Sequence, residues 1–181
     1  MTQISIAAVV GAKSLAGALA GEAARPALEH AARNAPTEAI VLLDWAEVEL
    51  LTSSFFLAAF WPVFWEPEIA DKPDIFPLLY RVPEVVADEI RIALISRSAS
   101  ALFATGPPTR LEVDPFNLDE IAQRTLQLVD GLGEASAADL ATKEPGIQKT
   151  AWSNRLALLE KKRILRRRKQ GRQLYYSPCW R

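Results

Sequence analysis

The chain has 181 residues, half of them apolar, with 22 acids, 21 Lys and Arg and a formal net charge of −1. This suits one domain or two small ones, each with its own core, and excludes a largely disordered chain. A single cysteine, Cys179, and a single histidine, His30, exclude an intrachain disulfide and a conventional zinc cluster, so any metal site would need carboxylates alone; no metal and no cofactor is expected.

Residues 4–10 are expected to form a short β-branched strand ended by Gly11. Ser14 is placed to cap a helix over 14–35, with Leu15, Leu19, Ala23 and Ala27 on one face. Residues 39–45 are a continuous apolar run of the kind buried on both sides of a sheet, and together these segments predict a βαβ unit. Thr52, Ser53 and Ser54 then offer three hydroxyls to cap a helix over 55–65. Phe56, Phe60 and Phe64 line one face of that helix, and Trp61 and Trp65 widen it almost to the full circumference. Part of this surface is expected in the core and part in a dimer or partner interface. The same stretch is far short of the roughly 20 residues that span a bilayer, so a soluble, cytoplasmic protein without a membrane partner is expected. Pro67, Pro73 and Pro77 mark a loop, 76–82 a third strand, and Pro83 the first residue of a helix to Arg97. Gly106, Pro107, Pro108 and Pro115 make 98–116 a Pro-rich linker and boundary, with an edge strand available at 111–114, and divide the chain into domains 1–116 and 117–181.

Beyond that boundary the pattern becomes helical. Leu118, Ile121, Ala122, Leu126, Val129 and Leu132 roughly follow helical spacing, closing at Gly131 and Gly133, and Ser136 is placed to cap a short helix over 137–143. A turn at Pro145 and Gly146 leads to a helix over 148–162, followed by strands at 164–168 and 173–176 around a loop of Lys169, Gln170, Gly171 and Arg172. Charge is concentrated in the same region. Twelve cations against two acids, Glu144 and Glu160, give residues 143–181 a charge of +10, while nine cations against 20 acids give residues 1–142 a charge of −11. Like charges at this density suggest a polyanionic partner, the alternative being a solvated charged face or a rim for an acidic protein partner.

Trp152, Leu156 and Leu159 can pack one face of the 148–162 helix, which leaves Lys149, Thr150, Ser153 and Asn154 opposite, with Arg155 at the margin. These side chains suit base edges and phosphates in a major groove, and Arg166, Arg167, Arg168, Lys169 and Arg172 of the hairpin suit the sugar-phosphate backbone. The segment "ADLATKEPGIQKTAWSNRLALLEKKRILRRRKQGRQLYYSP" resembles the winged helix-turn-helix of the ArsR and MarR regulators over residues 117–178. Arg163 stands where those families usually carry glycine, and the metal-sensing cysteines of some ArsR proteins are missing. The resemblance implies double-stranded DNA as partner, and the homodimer expected from the aromatic surface would suit it, since two recognition helices one helical turn apart read a pseudo-palindrome.

The acidic half carries a second resemblance. "AIVLLDWAEVELLTSSFFLAAF" and "LLYRVPEVVADEI" are similar to the STAS-like domain related to anti-sigma-factor antagonists, over residues 1–97. In those antagonists an Asp-Ser-Ser-Gly stretch is phosphorylated on its second serine; here Thr52, Ser53, Ser54 and Phe55 stand in its place. The resemblance makes Ser54, with Ser53, a candidate phosphorylation switch, although plain helix capping also accounts for these hydroxyls. Asp44 ends a strand, where catalytic acids often lie in α/β folds, yet turn capping explains it as well. Gly-x-Gly-x-x-Gly, phosphate-loop and His-Glu-x-x-His motifs are missing, His30 lies among Ala, Leu and Glu, and no enzyme is expected.

The expected fold is therefore an α/β N-terminal STAS-like domain plus a mainly helical C-terminal winged helix-turn-helix domain. The expected function is transcriptional regulation through duplex DNA. The alternative is a partner-switching adaptor that binds a regulator kinase or anti-sigma factor, with the winged helix as a protein-contact module; binding of structured RNA is a third possibility.

Overall fold

A computed structural model describes residues 1–66 and 75–181. Pro67 and Pro73 of the expected loop lie outside the described residues. The chain is mixed α/β and divides into two compact units, Met1–Asn117 and Leu118–Arg181.

The first unit is built on a five-stranded sheet of order β1-β3-β5-β6-β7, formed by β1 (Thr2–Ser5), β3 (Ile40–Asp44), β5 (Phe76–Tyr80), β6 (Ala101–Thr105) and β7 (Glu112–Phe116). The pairings are parallel except that of β6 with β7, which is antiparallel. Every residue of β3 and β5 is buried, as the apolar run at 39–45 led us to expect. Residues 98–116 are therefore not a linker: they supply two strands of this sheet. Pro115 is accommodated because β7 is an edge strand and needs a ladder on one side only.

Two other expectations fail locally. Residues 6–10 are not strand but a short helix, α1 (Ile6–Val10), because both of its ends are capped. The Ser5 side chain accepts a hydrogen bond from the Ala8 N–H, and Gly11 takes the left-handed conformation with φ 75°, returning its N–H to the Ala7 carbonyl. Ser14 caps nothing; with Leu15 it forms β2 (Ser14–Leu15), paired with β4 (Leu50–Leu51). The helix α2 (Ala18–Arg33) starts after Gly17 and buries Gly21, Leu28 and Ala32, while Leu19 is 83 % exposed. α2 packs on α3 (Ser53–Ala59), and α3 on α4 (Glu84–Ser96). A β-carbon on Gly21 would come within 2.8 Å of the Phe55 carbonyl oxygen and 2.9 Å of the Ala58 β-carbon, so glycine sets how closely α2 and α3 approach.

The 55–65 helix breaks in two. α3 is followed by a π-helical turn, Trp61–Trp65, with Pro62 inside it. Phe56, Phe60 and Phe64 are all fully buried within the unit, against Trp45 and one another. The aromatic stripe is core, and these three rings are not available to a dimer or partner surface.

The second unit comprises α5 (Glu120–Leu132), β8 (Ala135–Ser136), α6 (Ala137–Lys143), α7 (Lys149–Lys161), β9 (Leu165–Gln170) and β10 (Gln173–Pro178). The strands form an antiparallel sheet of order β8-β10-β9. Asp119 caps α5, and a capping box between Ser136 and Asp139 starts α6. Leu126, Val129, Leu140, Trp152, Leu156, Leu159, Ile164 and Leu165 form its core. Cys179 is fully buried, and burial pushes its thiol up to about 12, so it behaves as a small hydrophobe. Among the described residues no helix is long and apolar enough to cross a membrane.

Candidate nucleic-acid interface

Along α7 a buried face and an exposed face are separated by the half-buried Ala151, Arg155 and Glu160. Trp152, Leu156 and Leu159 are fully buried, whereas Lys149, Thr150, Ser153, Asn154, Ala157 and Leu158 are exposed. Helical spacing puts this exposed set on one face, about 15 Å long at 1.5 Å per residue. Ser153 donates its hydroxyl hydrogen bond to the Lys149 carbonyl, inside the helix. Arg155 is half-buried and lies over the Trp152 ring at 4.8 Å, so its guanidinium belongs partly to the packing of the helix flank.

The exit of α7 explains how a chain without glycine turns there. Lys162 ends the helix and Arg163 adopts φ 58°. The Arg163 N–H reaches the Glu160 carbonyl and the Ile164 N–H reaches that of Leu159, which is the Schellman arrangement with arginine in the left-handed position. Arginine thus takes the conformation that the resemblance assigned to glycine.

The hairpin is longer and its loop tighter than the sequence suggested. Gln170 pairs with Gln173, so only Gly171 and Arg172 form the loop, and Gly171 supplies φ 61°. Lys169 is the penultimate residue of β9 rather than part of the loop. Lys169 and Arg172 are exposed at this tip. Two other arginines already meet carboxylates. Arg167 stands 3.3 Å from Glu160, and Arg168 holds Glu134 through two hydrogen bonds of 3.1 and 2.7 Å. The Arg168 guanidinium holds the Glu134 carboxyl below its usual range against a small opposing effect of burial, and Glu134 in turn raises Arg168. Arg166 is half-buried at the base of the strand.

Sequence reasoning missed Glu134 as a member of this surface. It lies 34 residues from Arg168 and comes close only because β10 runs between β8 and β9. No local pattern in the sequence points to that pairing.

In the first unit one of the three candidate hydroxyls does the capping. Thr52, not Ser53 or Ser54, is the N-cap of α3: its Oγ1 accepts from the Phe55 N–H at 3.3 Å and from the Gly17 N–H at 3.0 Å. The Ser54 hydroxyl is exposed and hydrogen-bonds to Thr52 at 3.1 Å. The Glu89 carboxylate accepts the Ser53 N–H at 2.7 Å. The slot that would welcome a phosphate thus holds a negative charge already, which a phosphate on Ser54 would have to displace.

Asp44 is similarly engaged. Its carboxylate accepts from Gln3 at 2.7 Å, from the Ala46 N–H at 3.2 Å and from Arg81 Nε at 3.1 Å, with a second bond from Arg81 to the other oxygen. Burial by itself would raise its pKa, but the hydrogen bonds and the Arg81 charge win and hold it below the usual carboxylate range. Asp44 thereby ties β1, β3 and the end of β5 together. No family model matches the chain, and no curated protein or solved structure matches it significantly.

Proposed function

We propose that Leu118–Arg181 is a winged helix-turn-helix that docks on duplex DNA, with α7 in the major groove and the hairpin along the backbone, and that the protein is a transcriptional regulator. In this proposal Met1–Asn117 is a STAS-like module that receives a signal or assembles a homodimer. The observation that carries the reading is the division of α7: an apolar face sealed in the core, and an outward face bearing Lys149, Thr150, Ser153 and Asn154 in the half of the chain that holds the excess of cations. Asparagine and lysine on such a face have the donors and acceptors to distinguish base pairs, whereas Lys169 and Arg172 at the hairpin tip suit phosphates of any sequence. The exposed Ala157, one turn beyond Asn154, suits the methyl group of a thymine.

The test is equilibrium binding of the full chain to labelled duplex, first to fragments selected from host DNA and then to the enriched sequence. With 6–10 phosphates contacted, the log–log dependence on salt should have a slope of about −5 to −9. Asn154→Ala should relax preference at one base pair by about 1–3 kcal/mol, while Lys169→Gln with Arg172→Gln should weaken every sequence alike. Weak retention without sequence preference would favour the adaptor reading instead, and preference for structured RNA over duplex would move the proposal to that partner.

A further inference from the structure

We propose, on the DNA-docking reading, that Glu134 is a built-in brake on affinity: its carboxylate occupies Arg168 and withholds one phosphate contact from the hairpin. Arg168 lies within β9 opposite Tyr175 of β10, and its side chain is 57 % exposed. Its Nε and one terminal nitrogen donate to the two oxygens of Glu134, the same forked geometry with which arginine takes a phosphate. The Tyr175 ring lies 5.6 Å from the guanidinium and helps fix its orientation.

A phosphate that approaches Arg168 must either displace this carboxylate or sit beside a like charge, and each outcome weakens binding. An exposed ion pair contributes little to folding, so the pair has more consequence for a polyanion than for stability. Arg167 and Glu160 repeat the theme in a weaker form, with a single ion-pair contact at 3.3 Å. The hairpin is therefore less cationic toward DNA than its sequence suggests, because two of its exposed arginines, Arg167 and Arg168, face carboxylates. Moderate non-specific affinity is the expected benefit, since a regulator that clings to every duplex finds its own site slowly.

The experiment uses the full chain and a labelled duplex of about 30 bp, with affinity measured between about 50 and 200 mM salt. Glu134→Gln keeps the shape and removes the charge. It should bind more tightly, and the ratio of its affinities at the two salt concentrations should exceed the wild-type ratio by about 3.5-fold, the signature of one added phosphate. Arg168→Gln should change the wild-type ratio little, yet should abolish the gain when combined with Glu134→Gln. Glu160→Gln should give a smaller gain. Circular dichroism of each variant shows whether it is folded. An unchanged ratio in folded Glu134→Gln overturns the brake, and a smaller ratio overturns it by making Glu134 a positioning residue for Arg168. Failure of the wild type to retain duplex even at low salt overturns the DNA reading itself, and the brake with it.

Discussion

The two units use their notable side chains in opposite ways. In Met1–Asn117 the features that stand out along the chain are consumed by folding: Phe56, Phe60 and Phe64 are sealed in the core, Thr52 caps α3, and Asp44 binds three strands together. In Leu118–Arg181 a small core satisfies the fold and leaves Lys149, Asn154, Lys169 and Arg172 exposed. Residue types alone do not separate these cases. What separates them is whether a partner within the chain has already taken the group.

Core truncation should produce the largest effect and shows what the first unit spends its aromatics on. Phe60 is fully buried, its ring stacked on Phe56 and 4.7 Å from Trp45, so Phe60→Ala should cost about 3–5 kcal/mol in chemical denaturation. Lys169→Gln with Arg172→Gln should leave the unfolding free energy within about 0.5 kcal/mol of wild type, the usual range for exposed surface changes. A large stability loss from the charge pair would break the contrast between the units.

Gly21→Ala comes next. The added carbon would press on the Phe55 carbonyl and on Ala58, and neither can yield as a flexible side chain would. Alanine gains up to about 1 kcal/mol in helix propensity, but the clash should outweigh it and leave a net loss of about 1–2 kcal/mol, read as a lower melting temperature.

Asp44 sharpens the same comparison through pH. Its pKa is depressed in the folded chain, so the stability it supplies is fully present above the ordinary carboxylate value of about 3.9 and is lost as pH falls through the lower folded value. Asp44→Asn should cost about 1–2 kcal/mol at neutral pH, because Arg81 is half-exposed and keeps access to water. Below about pH 4 the gap between variant and wild type should narrow, since the wild type alone loses this contribution on protonation. A gap that stays constant down to the acid transition would remove Asp44 from the ties of the sheet.

How much was legible in advance follows from the range of the forces involved. Ser136 and the short helix after it, the apolar strand β3, and the hairpin around Gly171 are set by neighbours in sequence, and local patterns predicted them. The opening helix escaped because caps at Ser5 and Gly11 outweighed the β-propensity of Val9 and Val10. Residues 98–116 looked like a linker because their prolines and glycine were visible, while the strand partners that order them were not. The same blindness applies to the candidate interface. The outward residues of α7 follow from helical spacing, but Glu134 and Glu89 enter their sites from 34 and 36 residues away, one to pair with Arg168 and the other to accept the Ser53 N–H.

The smallest expected effect lies at Arg163, where local conformation and the demands of the second unit are in mild conflict. A left-handed residue with a β-carbon costs roughly 1–2 kcal/mol, and glycine removes that cost while adding about 0.5–1 kcal/mol of entropy in the unfolded chain. Arg163→Gly should therefore stabilise the second unit by about 0.5–1 kcal/mol, seen as a small rise in denaturation midpoint. The two backbone bonds that close α7, from Arg163 to Glu160 and from Ile164 to Leu159, need no particular side chain at 163 and should persist in the variant. A loss of stability would mean that the arginine side chain holds the helix exit more firmly than its backbone strains it.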